Sequence, residues 1–280
     1  MKSGNSSNAG KVSYQWRALG CTVRGASHIK NDKPNQDAMH IEKKDIDKNG
    51  CYIVASLSDG HGSTQCPYSD EGALAAVHTA CEVFASIFES SGKNGTAFNT
   101  IKANKDIWLP KQIEKQWKAR VREIHAEKGR SLPDDFPYTL YGATLLTLLV
   151  TDDFIFALQL GDGDILTIDR EIDKIEWLIP PTETLGNETD SLCQENCWKY
   201  MKTHLISIPK NSPMFLLSTD GYYNSFSTTD GFKKAGVDIC NMWHDKGTDF
   251  IKEHLEDWLV HSSANGSGDD ISMALVFLED

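Results

Sequence analysis

The feature that most constrains this chain is a set of short runs that stay apolar on consecutive residues instead of alternating with polar ones. The strand runs are Tyr52-Ile53-Val54-Ala55-Ser56-Leu57, Ala143 to Val150, Phe154 to Leu160, Ile165 to Ile168, Leu205 to Ile208, Met214 to Leu217 and Ile271 to Leu278, and several of them are of this kind. Strands of this kind are buried on both faces. The Asp152-Asp153 tip between two of the runs predicts a tight antiparallel connection. Two longer segments have helical spacing instead. Asp70 to Glu89 places Ala73, Leu74, Val77, Ala80, Cys81, Phe84 and Phe88 on one side, with Ser69 or Asp70 as cap. Asp106 to Lys128 is amphipathic through Ile107, Ile113, Trp117, Val121 and Ile124. Gly92 to Asn104 reads as the polar joint between them, and a third helix is expected from about Gly247 to Val260. Strands packed on strands with helices outside satisfy both patterns. The expected fold is α+β: a central β-sandwich of two antiparallel sheets flanked by helices, in four layers.

At 280 residues the chain suits one large domain or two small ones, and no repeat or long linker divides it. The expectation is a disordered lead over 1–11 and a single domain over 12–280. A net charge of -12 argues against nucleic-acid binding, which needs basic patches. No run approaches the roughly 18 apolar residues of a membrane helix, and Met1 to Gly10 lacks the apolar core of a signal peptide. The seven cysteines form no framework, and Cys193 and Cys197, the closest pair, lack the second pair of a zinc site. Free thiols and a cytoplasmic location are expected.

The aspartates fall in a pattern against the strands. Asp59, Asp162 and Asp220 end three runs, Asp37 opens the short stretch Ala38-Met39-His40-Ile41, and Asp269-Asp270 open the last strand. Ends and starts of neighbouring antiparallel strands lie side by side, so these carboxylates can share one edge. Two unit charges at about 4 Å repel by about 4 kcal/mol at an effective dielectric of 20, which calls for hard divalent cations with oxygen ligands. Three of the aspartates precede glycine: Asp59-Gly60, Asp162-Gly163 and Asp220-Gly221. Asp-Gly is also an ordinary turn signal, but glycine lets a backbone carbonyl approach a metal closely.

Pro34-Asn35-Gln36-Asp37-Ala38, Ser58-Asp59-Gly60-His61-Gly62, Tyr141-Gly142-Ala143-Thr144, Leu160-Gly161-Asp162-Gly163-Asp164, Ser218-Thr219-Asp220-Gly221 and Gly268-Asp269-Asp270-Ile271-Ser272 resemble, in order, the motifs of the PPM, or type 2C, metal-dependent serine/threonine phosphatases. With Ser27-His28 upstream, the likeness is to a bacterial-like branch. The resemblance implies two Mg²⁺ or Mn²⁺ ions and a further, weaker one. The implied metal residues are Asp37, Asp59 as the bridge, Gly60 through its carbonyl, Asp220, Asp269 and, for the weaker ion, Asp162. It implies His61 and Asp59 as catalytic residues, His61 as general acid. It implies direct attack of activated water on phosphoserine or phosphothreonine, phosphoprotein substrates, and a cognate Ser/Thr kinase as partner. A catalytically weak or inactive binding module of the same fold, recognising a phosphorylated partner or kinase, is the alternative.

Single residues carry further expectations. His28 is a site or a structural residue. Asp164 reads as a turn residue and Asp270 as a turn cap. Trp16, Trp117 and Trp258 read as packing residues. The family often has a phosphate-gripping arginine five residues before the first metal aspartate; here Asp32 holds that position. Lys30, Lys33 or His28 are the local substitutes, and lysine lacks the bidentate fork. Glu171 to Tyr200 reads as a long loop with little regular structure, corresponding to a variable flap in the family.

Overall fold

The computed structural model describes residues 15–46, 50–91, 94–169, 174–181, 189–209 and 213–279. The expected lead over 1–11 lies outside them, as does 182–188 of the expected loop. Ten strands form two antiparallel sheets of five. The first sheet has β1 (Gln15–Val23), β10 (Ile271–Glu279), β9 (Met214–Ser218), β6 (Asp164–Asp169) and β7 (Lys174–Trp177), in that spatial order. The second has β2 (Ala38–Asp45), β3 (Cys51–Ser58), β4 (Leu145–Thr151), β5 (Phe154–Leu160) and β8 (Lys202–Ser207). Helices α2 (Ser69–Ser91), α3 (Asn94–Asn104) and α4 (Trp108–Glu127) belong to the layer over the second sheet; α6 (Thr229–Lys246) and α7 (Thr248–Asn265) cover the first. Two short helices, α1 (Ala26–Lys30) and α5 (Asp220–Tyr223), complete the set.

The consecutive apolar runs have the expected cause. Along β4, Leu146, Leu148 and Val150 pack into the core between the sheets, while Leu145 and Leu149 pack outward with α2 and α4. Along β9, Phe215 and Leu217 point between the sheets, and Met214 and Leu216 point to α6 and α7. Every strand that faces two packed layers must be apolar at both parities. The β4–β5 tip is tight: the Thr151 hydroxyl accepts from the amides of Asp153 (3.2 Å) and Phe154 (2.9 Å).

Some elements differ from expectation. Gly92 to Asn104 is not a plain joint: Asn94–Asn104 is helical, with Ala97 and Ile101 buried. The 171–200 segment contains strand β7 and a 3-10 turn at Cys197–Lys199. β7 alternates exposed and half-buried residues at the sheet edge, so it lacks the apolar run that marked the other strands. β1 is mostly half-buried, with full burial confined to Trp16 and Val23, and it pairs with β10 over nine residues. Its Trp16 is fully buried and donates to Thr151 O at 2.9 Å. Trp117 is equally buried, donating to Gly72 O at 2.9 Å. The seven cysteines are free thiols. Among the described helices, α2 alone has the length and apolarity to cross a membrane, and 72% of its apolar window is buried inside the fold.

The double-sided packing sets the cost of truncation. Leu148→Ala, at a fully buried position between the sheets, is expected to lower unfolding free energy by about 2–5 kcal/mol. Leu74→Ala, at a half-exposed position of α2, is expected to change it by no more than about 0.5 kcal/mol. Urea unfolding of both variants measures the difference.

Candidate metal centre

The sandwich brings the aspartate-bearing strand termini to one rim. β2 and β3 pair with Ala38 opposite Ser58, so Asp37 and Asp59 flank the same end of that ladder. β9 pairs with β10 through Ser218–Met273 and with β6 through Asp164–Ser218. Asp220, Asp269 and Asp162 therefore arrive at the same rim from the other sheet. Asp162 sits where the chain passes from β5 of one sheet to β6 of the other. Asp59, Gly60, His61, Asp162, Asp220 and Asp269 line one polar cleft of about 290 Å³ with His28, Gln36 and Thr144.

Asp37 is buried and does not line the cleft wall; its carboxylate accepts from the Thr219 hydroxyl at 2.7 Å. Burial pushes its carboxyl well above the usual range, and the charges of Asp270 and Asp220 add to that. Asp59 is raised by burial and then by Asp37, Asp220 and Asp269. Asp220 is raised by burial and by the charges of Asp162 and Asp269, and its carboxylate accepts from Asn224 at 2.9 Å. A cluster of carboxylates this strongly driven toward protonation is a site built for positive charge. The donors are all oxygen, which suits Mg²⁺ or Mn²⁺ better than zinc. Gln36 Oε1, on a residue lining the cleft, is a buried acceptor without a protein donor. Asp37, Asp59, Asp220 and Asp269 could hold such ions, with Asp162 at the more exposed end.

The backbone around Asp59 is fixed on both sides. Its amide donates to Thr144 Oγ1 (2.9 Å), and its carbonyl accepts from the Thr144 amide (2.8 Å). Gly60 packs so tightly that a Cβ would stand 2.7 Å from the carbonyl oxygens of Gln36 and Ser69. His61 donates its amide to Gly142 O at 3.1 Å, and a Cβ on Gly142 would stand 2.6 Å from the His61 ring. Burial lowers the His61 imidazole below its ordinary range, and Asp162 acts against this.

Two aspartates have other roles than expected. Asp270 does not cap its own turn. It is buried, accepting from the amides of Gly25 and Gln36 at 2.6 Å each and pairing with His28 Nδ1 at 2.8 Å. It thus ties the β1–α1 turn and the Gln36 segment to the start of β10. Asp164 is not a turn residue but the buried first residue of β6, accepting from Trp177 Nε1 at 2.5 Å. Burial pushes its carboxyl up to about 6 despite that bond. His28 lines the cleft, its Nε2 3.6 Å from Asp269. Of the candidate phosphate-binding cations, Lys33 reaches the cleft lip at Gly62 O (3.5 Å), while Asp32 turns to Arg24 at 3.6 Å. Gln36, Thr144 and Thr189 also line the cleft, without having been singled out by sequence. Thr189 donates to Asp162 at 2.7 Å. The first two lay inside recognised motifs; Thr189 carried no signal.

A family model described as protein phosphatase 2C matches residues 24–260. The chain belongs to the protein phosphatase 2C family. No curated protein matches it significantly by sequence. Solved structures do. One is PppA, a key regulatory component of T6SS in Pseudomonas aeruginosa, with TM-score 0.59 and 16% identity over 94% of this chain and 98% of that one. Another is the S. agalactiae serine/threonine phosphatase, with TM-score 0.59 and 16% identity over 95% and 100%. A third is the catalytic domain of the serine threonine protein phosphatase PstP in complex with two manganese ions, with TM-score 0.59 and 12% identity over 96% and 100%. At these identities the likeness is one of fold.

The electrostatics make the apo protein the test bed. Mn²⁺ is expected to raise its melting temperature, since a ligand at 100 times its Kd stabilises by about 2.7 kcal/mol. Asp59→Asn is expected to abolish that shift and to leave the metal-free protein as stable or more stable, because it removes a buried repulsive charge. Thermal denaturation with and without Mn²⁺ measures both effects.

Proposed function

We propose that this protein phosphatase 2C family member is an active, metal-dependent phosphatase of phosphoserine and phosphothreonine on proteins. The observation that carries the reading is the meeting of Asp37, Asp59, Asp162, Asp220 and Asp269 from both sheets at one rim, where burial and mutual repulsion raise Asp37, Asp59 and Asp220 together. A module that only binds would have no use for so costly a set.

Asp37, Asp59, Asp220 and Asp269, with the Gly60 carbonyl, would hold two Mg²⁺ or Mn²⁺ ions, and Asp162 would help to hold a weaker third. When bound, such ions supply an acidified water and positive charge toward the phosphoryl oxygens. That local charge offsets a chain whose net charge is -12 and which would otherwise repel phosphoproteins. The chain's own residues do the rest. Thr144 fixes the Asp59 backbone on both sides, and close packing holds Gly60, the residue that follows it. His61 stands at the cleft wall to give a proton to the leaving alkoxide. Lys33 at the lip takes over part of the phosphate contact that an arginine makes elsewhere in the family. Its single ammonium cannot form the bidentate pair, so the ions carry more of the phosphate binding. A cytoplasmic setting and a cognate kinase belong to the same proposal.

The deciding assay is hydrolysis of p-nitrophenyl phosphate and phosphopeptides with Mn²⁺, with EDTA, and by Asp59→Asn. Mn²⁺-dependent turnover that both treatments remove is expected. Turnover that survives EDTA refutes the mechanism, and intact Mn²⁺ binding without turnover on any substrate supports the binding module instead.

His61→Ala is expected to slow alkyl phosphopeptides by about 10²-fold and p-nitrophenyl phosphate much less, because that leaving group needs little protonation. Equal losses on both remove His61 from the acid role. Lys33→Ala is expected to raise KM for phosphopeptides by up to about fivefold with little change in kcat, the worth of one exposed ion pair. Steady-state kinetics of the two variants separate the roles.

A further inference from the structure

A second group of donor atoms lies away from the rim, between β2 and α2. Along β2, Met39 and Ile41 pack into the core between the sheets. His40 and Glu42 alternate with them and therefore face the opposite side, toward α2. From α2, His78 and Cys81 sit three residues apart on one helix face. A ring nitrogen of His40, a carboxylate oxygen of Glu42 and the Cys81 sulfur all lie within 4.8 Å of one another. The His78 ring stands 4.5 Å from that of His40.

The bonding of these groups points to a missing partner. Among the described residues, neither imidazole takes part in a hydrogen bond; the two rings face each other, with Glu42, Glu82 and Arg120 also near His78. The Cys81 thiol has a long contact to Ser56 Oγ at 3.9 Å. Glu42 pairs with Lys44, on the same side of the strand, at 2.7 Å, a contact that a bound metal would have to displace. Half-buried imidazole and carboxylate donors converge here on the buried Cys81 sulfur, with neither imidazole spending its lone pair on a hydrogen bond among the described residues.

We propose that His40, Glu42 and Cys81, with His78 as fourth donor, form a binding site for a borderline-soft divalent ion of the zinc class, distinct from the rim. The donor chemistry separates the two sites. Thiolate and imidazole suit Zn²⁺, whereas Mg²⁺ and Mn²⁺ prefer oxygen. With Zn–N near about 2.0–2.1 Å and Zn–S near about 2.3 Å, tetrahedral ligands of one ion stand about 3.4–3.7 Å apart. The His40, Glu42 and Cys81 donor atoms, all within 4.8 Å of one another, close to that spacing by side-chain shifts of up to about an ångström, and His78 by rotation of its ring. Burial pushes the free Cys81 thiol up to about 12, so binding must release its proton to solvent as the thiolate takes the metal. The bound ion would staple β2, an edge strand of its sheet, to α2. Asp37 sits directly before β2, so the staple also steadies one residue of the rim.

The test uses the full chain, stripped with chelator and titrated with Co²⁺ and Zn²⁺. Co²⁺ is expected to give a near-ultraviolet sulfur-to-metal band at one ion per chain. That band should vanish in Cys81→Ser and persist in Asp59→Asn. His40→Ala and Glu42→Gln, at half-buried positions, are expected to weaken Zn²⁺ binding by at least about tenfold, a loss that even outer-shell changes can cause. They keep the test decisive if the buried Cys81→Ser variant does not fold. Zn²⁺ should also raise the melting temperature of Asp59→Asn, whose rim is disabled. Absence of the band in the native chain, its survival in Cys81→Ser, or Zn²⁺ binding indifferent to both His40→Ala and Glu42→Gln overturns the proposal.

Discussion

The structure depends on holding like charges together at the end of a β-sandwich. Asp37, Asp59 and Asp220 are raised together because each is desolvated and each feels the others. An isolated loop could not hold that arrangement, since repulsion of this size would spread it. Here each aspartate is attached to the terminus of a strand whose register is locked by its neighbours. The registers are in turn locked by side chains buried on both faces of both sheets. The energy of the hydrophobic core thus sustains an electrostatic arrangement that opposes folding, a common relation between stability and active sites.

Short-range polar contacts then refine what the sheets hold coarsely. Thr219 braces Asp37, Thr144 braces the Asp59 backbone, and Asn224 braces Asp220. Asp270 takes three donors from two separate segments and closes the base of the rim. A second support lies under the turn that carries Gly142, just ahead of β4. Tyr141 receives Arg130 Nη1 at 2.8 Å and meets His125 Nδ1 at 3.0 Å. Glu71 pairs with Arg130 and Lys128, both at 2.7 Å. Burial alone would raise the Glu71 carboxyl, but these two cations hold it below its ordinary range. The network anchors α2 and α4 to the residue beside Gly142, and Gly142 accepts the His61 amide. The position of His61 is therefore set from well outside the cleft.

The departure from the usual family pattern concerns the substrate side rather than the metal side. Asp32 has φ of 52° and turns its carboxylate to Arg24. That leaves Lys33 at the lip and His28 paired with Asp270. Under the proposed function, a cleft lined by five aspartates and two histidines, with no arginine or lysine among its described lining residues, would draw phosphate through bound cations, which would couple metal loading and substrate affinity.

The α+β sandwich was legible because burial on both faces leaves a one-dimensional trace: strands such as β4 and β9 are apolar at every position. The family motifs made the rim aspartates legible for the same reason, since Asp59, Asp162 and Asp220 follow such runs and Asp37 and Asp269 lie just before strands. Elements exposed on one side left weaker traces, so α3, α6, β1 and β7 went unread; their periodicity is diluted by surface residues and settled by what they pack against. Asp164 and Asp270 could not be placed from sequence, because their partners Trp177, Gly25 and Gln36 become neighbours only after sheet pairing. The facing of His40 and Glu42 toward His78 and Cys81 is likewise invisible along the chain. By itself the sequence determined which segments must be buried and which carboxylates end them; the tertiary structure alone decided which of those groups meet, because the contacts that join them span up to 245 residues of chain.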